Sequence, residues 1–161
     1  MASKEELIDL LNKSNSEREN YKLIEANDIR KFQERVHKLF TQISSWLEGT
    51  SIKVSISRKD IVDNTTSIRS YPIDFMTLTN AGKCIEIYPS ALYLFGSKGE
   101  VHIKLTGTTE NLELNLYMED SSSEKYFSGE WVFFEKNFEK NERITNLFTQ
   151  EIFYDLAKKL A

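Results

Sequence analysis

Apolar residues along this chain keep two different periods, and the change from one to the other falls near residue 50. Leu7, Leu10 and Leu11 stand three and four positions apart, as on one face of a helix. Ser3 and Glu6 precede them at the spacing of a capping box, in which each side chain bonds the other's free backbone N–H. This predicts a short helix over residues 3–13. A polar stretch, 12–20, holds a second such pair at Ser16 and Glu19, which predicts a break and a restart. Ile29, Phe32, Val36, Leu39, Phe40, Ile43 and Leu47 then form one stripe on a long amphipathic helix that ends at Gly49, with Asn27 and Asp28 as a further place for it to divide.

Beyond it the period falls to two. Ile52, Val54 and Ile56 alternate with Lys53, Ser55 and Ser57, the pattern of a strand with one wet face. Further strands are predicted over 68–79, 83–88, 91–95, 100–106, 112–118 and 126–134. Between them stand Asn80-Ala81-Gly82, Pro89, Gly96-Ser97-Lys98-Gly99 and Gly107-Thr108-Thr109, residues that turn or interrupt a ladder. Ile144, Leu147, Phe148, Ile152, Leu156 and Leu160 return to helical spacing, which predicts a C-terminal helix over 141–160. The reading is an α+β fold in one domain: N-terminal helices in residues 1–48, an antiparallel meander of six to seven strands in 51–135, and the C-terminal helix packed on the sheet. Residues 91–95 and 126–134 are apolar on both faces of their strands, so both runs are expected to be buried, with the terminal helices on opposite faces of the sheet, the alternative being an exposed aromatic patch of the kind that marks interfaces.

Composition narrows the function classes. With 161 residues, 40% hydrophobic and 29% charged, the chain has an ordinary globular make-up. Its single cysteine, Cys84, excludes an intramolecular disulfide and a Cys-based zinc cluster. The first residues carry Lys4, Glu5 and Glu6 instead of a basic leader and apolar core, and no apolar run approaches the roughly 20 residues of a membrane span. A cytoplasmic location with no membrane partner is therefore expected. A net charge of −4, with aromatics in apolar runs and not among lysines and arginines, argues against nucleic acid.

Few side chains suggest chemistry. His37 reads as a boundary residue beside the apolar stripe, and His102 as a wet-face residue that shares its face with Glu100 and Lys104. Cys84 reads as a small hydrophobe in a strand, and no Gly-x-Ser-x-Gly elbow or phosphate loop occurs. Glu113 could face Glu86 or Glu135 across the sheet, but no pattern marks a pocket around them. No catalytic residue, metal or cofactor is expected on these grounds.

Charge distribution carries the functional expectation. Residues 107–142 hold three lysines against nine carboxylates. Such a concentration of one sign steers a partner of the other sign. The expectation is a small, non-enzymatic protein-binding domain, for example an immunity-type inhibitor of a basic protein, that binds through Glu110, Glu113, Glu119, Asp120, Glu124 and Glu130, as monomer or homodimer. One alternative is an apolar-ligand cavity between curved sheet and helix, lined by Phe75, Tyr93, Phe95 and Trp131. The other is an acidic chaperone for a secreted effector.

Overall fold

The computed structural model describes residues 1–120, 130–137, 139 and 142–161. Two compact units divide the chain, Met1–Lys31 and Phe32–Ala161. The first consists of helix α1 (Lys4–Trp46) as far as Lys31, opened by the expected capping box: Glu6 N donates to Ser3 Oγ at 3.2 Å and Ser3 N to Glu6 Oε2 at 3.3 Å. The predicted break at 12–20 does not occur, because that stretch is polar but holds neither proline nor glycine. Its lysine, arginine and glutamates are good helix formers, so the helix runs through. Every residue from Met1 to Ile24 is exposed.

The second unit holds a seven-stranded antiparallel meander in simple sequence order. Its strands are β1 (Lys53–Val62), β2 (Ser70–Asn80), β3 (Lys83–Leu94), β4 (Ser97–Thr106), β5 (Glu113–Asp120), β6 (Val132–Asn137) and β7 (Glu142–Leu147). Helix α2 (Gln150–Ala157) and a 3-10 turn, Lys158–Leu160, close the chain. The α+β class and the meander match the sequence reading. Several boundaries differ from it, among them β1, which runs on to Val62, and the strand expected over 126–134, which is Val132–Asn137. Residues 91–95 are not a separate strand: β3 continues through Pro89, where pairing to β2 has already ended at Ile87 and the register to β4 shifts between Pro89 and Ala91. The turn before β4 is Phe95-Gly96, and Gly99 lies inside the strand. The predicted helix over 141–160 begins at Gln150 instead, because 142–147 pair with β6 from Asn137↔Glu142 to Val132↔Leu147. Thr149 caps the true start by accepting from Ile152 N at 3.3 Å.

Helix α1 places its predicted stripe in the core. Phe32, Val36, Phe40 and Ile43 are fully buried, with Ile85, Ile87, Val101, Ile103, Leu116 and Met118 on alternate strand positions. Arg35 ties the helix to β5 and to the residues leading into β6 by donating to Met118 O at 3.0 Å and Glu130 O at 3.2 Å. Helix α2 packs beside the end of α1, not on the other side of the sheet: Phe153 lies 5.5 Å from Trp46 between ring centroids, and Tyr154 Oη donates to Trp46 O at 3.0 Å. Burial of the second aromatic run is seen at Trp131, Val132 and Phe133, whereas Phe95 in the first is fully exposed at its turn and Tyr126 and Phe127 lie outside the described residues.

The β2–β3 hairpin turns through Ala81 (φ 51°) and Gly82 (φ 78°), two successive residues in the left-handed region. This is the twist a two-residue type I′ loop requires, and an alanine Cβ is strained there. Asparagine tolerates that region, so Ala81→Asn should stabilise the unit by about 0.5–1 kcal/mol in urea unfolding.

Candidate functional site

Strand alternation sends Ile85, Ile87, Val101, Ile103 and Leu105 to the core and sends Glu86, Tyr88, Glu100, His102 and Lys104 to the opposite face. Register then joins residues far apart in sequence. Tyr88 pairs with His102 and His102 with Asn115, while Glu100 pairs with Tyr117. One row beside them reads Thr77, Glu86, Lys104, Glu113 across four strands.

Aromatic rings occupy places where a wet sheet face ordinarily carries polar residues. Phe75 stacks on Tyr88 at 6.4 Å and Tyr88 on His102 at 5.3 Å. Tyr117 stacks on Phe134 at 4.8 Å, and the Lys59 ammonium stands 5.4 Å from the Phe75 ring centre. All five rings are half-buried.

His102 is held at one nitrogen. Its Nε2 lies 2.9 Å from Glu100 Oε1, which also accepts from Ser90 Oγ at 2.7 Å. Nδ1 stands 3.9 Å from Glu113 Oε1, too far for a hydrogen bond, and is buried without a partner. Asn115 Oδ1, on the residue directly opposite, is likewise buried and unpartnered. With Nε2–H assigned as donor to Glu100, the two unpartnered atoms belong to residues directly opposed in the ladder. Groups of this kind cost free energy until a partner reaches them. Ser90 gives its hydrogen bond to a carboxylate and not to the imidazole, so the nucleophile–base contact of a serine hydrolase is missing at this serine.

The six carboxylates expected from the sequence do not form one cluster. Glu113 joins the face just described. Glu110 is paired with Lys159 at 3.0 Å beside the C-terminus. Glu119 and Asp120 stand opposite Lys98 and Ser97 in the ladder, Glu130 is exposed where its carbonyl accepts from Arg35, and Glu124 lies outside the described residues. Lys104 separates Glu86 from Glu113.

No family model, curated protein or solved structure matches this chain.

The aromatic lining expected for a ligand cavity is dispersed: Phe75 stacks on Tyr88, Tyr93 faces Lys98, Phe95 is exposed, and Trp131 lies under Arg35 at 5.5 Å. Trp131 instead lines a cleft of about 340 Å³ with Trp46, Leu147 and Phe148 on the helix side. His37 is largely exposed, as expected for a boundary residue, and its Nδ1 lies 2.8 Å from Asp74 Oδ2. Cys84 is half-buried between Thr79 and Thr106. Among the described residues, no three His, Cys, Asp or Glu side chains are grouped to hold a metal, and no helix is long and apolar enough to cross a membrane. The sequence reading missed Tyr88, Asn115 and Tyr117. Aromatics at the polar phase of an alternating strand are the signal that could have found them.

Proposed function

We propose that this chain is a non-enzymatic protein-binding module that receives a basic segment of another protein on the sheet face opposite α1. The half-buried aromatic row Phe75, Tyr88 and His102, with Tyr117 beyond it, carries the reading, because apolar rings at the polar phase of a sheet mark a surface that a partner covers. Around them Glu86 and Glu113 offer exposed carboxylates to a basic segment. Arginine, with five donors and no acceptor, suits this set better than any other side chain. Tyrosine, phenylalanine and histidine beside acids also supply what interface centres use: rigid apolar area with a polar edge. Inhibition of a basic protein, as by an immunity protein, is the role this surface would serve in a cytoplasmic setting.

Capture from native lysate on immobilised protein tests it. The expected result is a stoichiometric partner with an excess of lysine and arginine, held less well as salt rises. Tyr88→Ala should weaken it by about 30-fold, the scale of an interface hot spot, and Glu113→Lys by about 10-fold. Glu110→Lys, which alters a carboxylate already paired with Lys159, should leave it unchanged. Retention of the partner by Tyr88→Ala together with Glu113→Lys, with folding intact by circular dichroism, would refute the assignment.

A further inference from the structure

Within the Met1–Lys31 unit, Leu7, Leu10, Tyr21 and Ile24 are 53%, 63%, 73% and 56% exposed. Scattered apolar residues on a surface are ordinary, but these four repeat. Leu7 and Leu10 are three apart, Tyr21 and Ile24 are three apart, and each member of the second pair stands two heptads beyond its counterpart in the first. Written as a heptad, Leu7 and Tyr21 take position a, and Leu10 and Ile24 take position d. The middle heptad puts Ser14 at a and Glu17 at d.

We infer that two copies of this chain pair through this stripe as an antiparallel two-stranded coil. In the pairing, Leu7 lies beside the partner's Ile24, Leu10 beside the partner's Tyr21, and Ser14 beside the partner's Glu17. Polar and charged positions choose both the occupant and the direction. Antiparallel pairing lets each Ser14 hydroxyl donate to a carboxylate of the partner's Glu17, and a polar central layer of this kind fixes register at some cost in stability. At the flanks it sets Lys4 beside the partner's Glu25 and Leu11 beside the stem of the partner's Arg18, with no like charges opposed. Parallel pairing sets Lys13 against the partner's Arg18 and stacks Glu17 on the partner's Glu17 at a core position. Both contacts are repulsive. The same helix is therefore self-complementary in one direction only.

Sedimentation equilibrium of the full chain over micromolar to near-millimolar concentration tests the pairing. The mass should rise to twice that of one chain, and Leu10→Glu should return it to one chain with the helix signal retained. Direction is tested by cross-linking in a Cys84→Ser background. An equimolar mixture of Ser14→Cys and Glu17→Cys chains should form an interchain disulfide under mild oxidation. Ser14→Cys alone should not, since antiparallel order offsets it from its own copy by about 4.5 Å along the axis in addition to the lateral spacing. A single-chain mass at every concentration overturns the inference, as does a dimer that survives Leu10→Glu, or Ser14→Cys alone cross-linking as well as the mixture.

Discussion

Alanine in place of Asp63 should lower the unfolding free energy by about 3–5 kcal/mol, because it takes one charged acceptor from two buried donors at once. Asp63 is 1% exposed in the segment between β1 and β2. Its Oδ2 accepts from Tyr71 Oη at 2.5 Å and from Leu92 N at 2.9 Å, and its Oδ1 from Thr65 N at 2.9 Å and Thr65 Oγ1 at 2.5 Å. Thr65 Oγ1 in turn accepts from Tyr93 N at 3.1 Å. One side chain thus ties the 63–69 segment to the far end of β3, where pairing to β2 has ended. With alanine, the Tyr71 hydroxyl and the Leu92 N–H lose the acceptor that Oδ2 gives them. An asparagine side chain keeps the shape but turns an NH2 group toward donors on one side or the other, either Tyr71 and Leu92 or Thr65. Asp63→Asn should therefore cost about 2 kcal/mol. Tyr71→Phe removes one donor cleanly and should cost about 1 kcal/mol. Urea unfolding of the three variants checks the order. An Asp63→Asn loss as small as that of Tyr71→Phe would show that the segment is held by something other than this carboxyl group.

The elements that were legible in the sequence are those decided locally. The stripe from Ile29 to Leu47 reads as one buried face because its positions advance by three or four residues, with Leu39 and Phe40 adjacent, and six of its seven residues are less than 5% exposed. The Ser3–Glu6 box was readable for the same reason. The C-terminal boundary was not, since Ile144 and Leu147 fit a helical stripe equally well. What makes 142–147 a strand is the neighbouring β6, through pairs such as Phe133↔Asn146 that no local pattern encodes. The break expected at 12–20 failed because a cap signal starts a helix only where the preceding chain is free to leave one, and no glycine or proline releases it there.

The candidate site was legible only along single strands. That Glu100, His102 and Lys104 share a face follows from a period of two. That Tyr88, His102 and Asn115 form one row depends on the register of two hairpins, and a slip of one residue in either would send Tyr88 or Asn115 into the core. Counting carboxylates along the chain likewise ignores what the fold sets beside them. Lys159 reaches Glu110 from 49 residues away, and Lys104 stands between Glu113 and Glu86 in the ladder.

Gly99→Ala should cost about 2–5 kcal/mol, by a mechanism unrelated to turn formation. Gly99 lies inside β4 at φ +70°, where a Cβ would fall 2.7 Å from Met118 Cβ and 3.1 Å from Phe32 Cδ1. The absent side chain is what lets helix α1 seat Phe32 against the sheet. Two penalties combine in the variant: left-handed backbone with a Cβ, about 1–2 kcal/mol, and overpacking, about 1–3 kcal/mol. Gly49 separates them, since it has φ +81° and nothing within 4 Å of where a Cβ would stand, so Gly49→Ala reports the backbone penalty alone. The difference between the two losses measures the clash. Phe32→Leu in the Gly99→Ala background should recover little, because the closest contact is to Met118 Cβ, an atom fixed by the backbone of β5 and not the mobile end of a side chain. Equal losses for Gly99→Ala and Gly49→Ala in parallel unfolding curves would mean that α1 can back away from the sheet at no measurable cost. That outcome would contradict an anchor made by Arg35 on Met118 O and Glu130 O and by a fully buried Phe32.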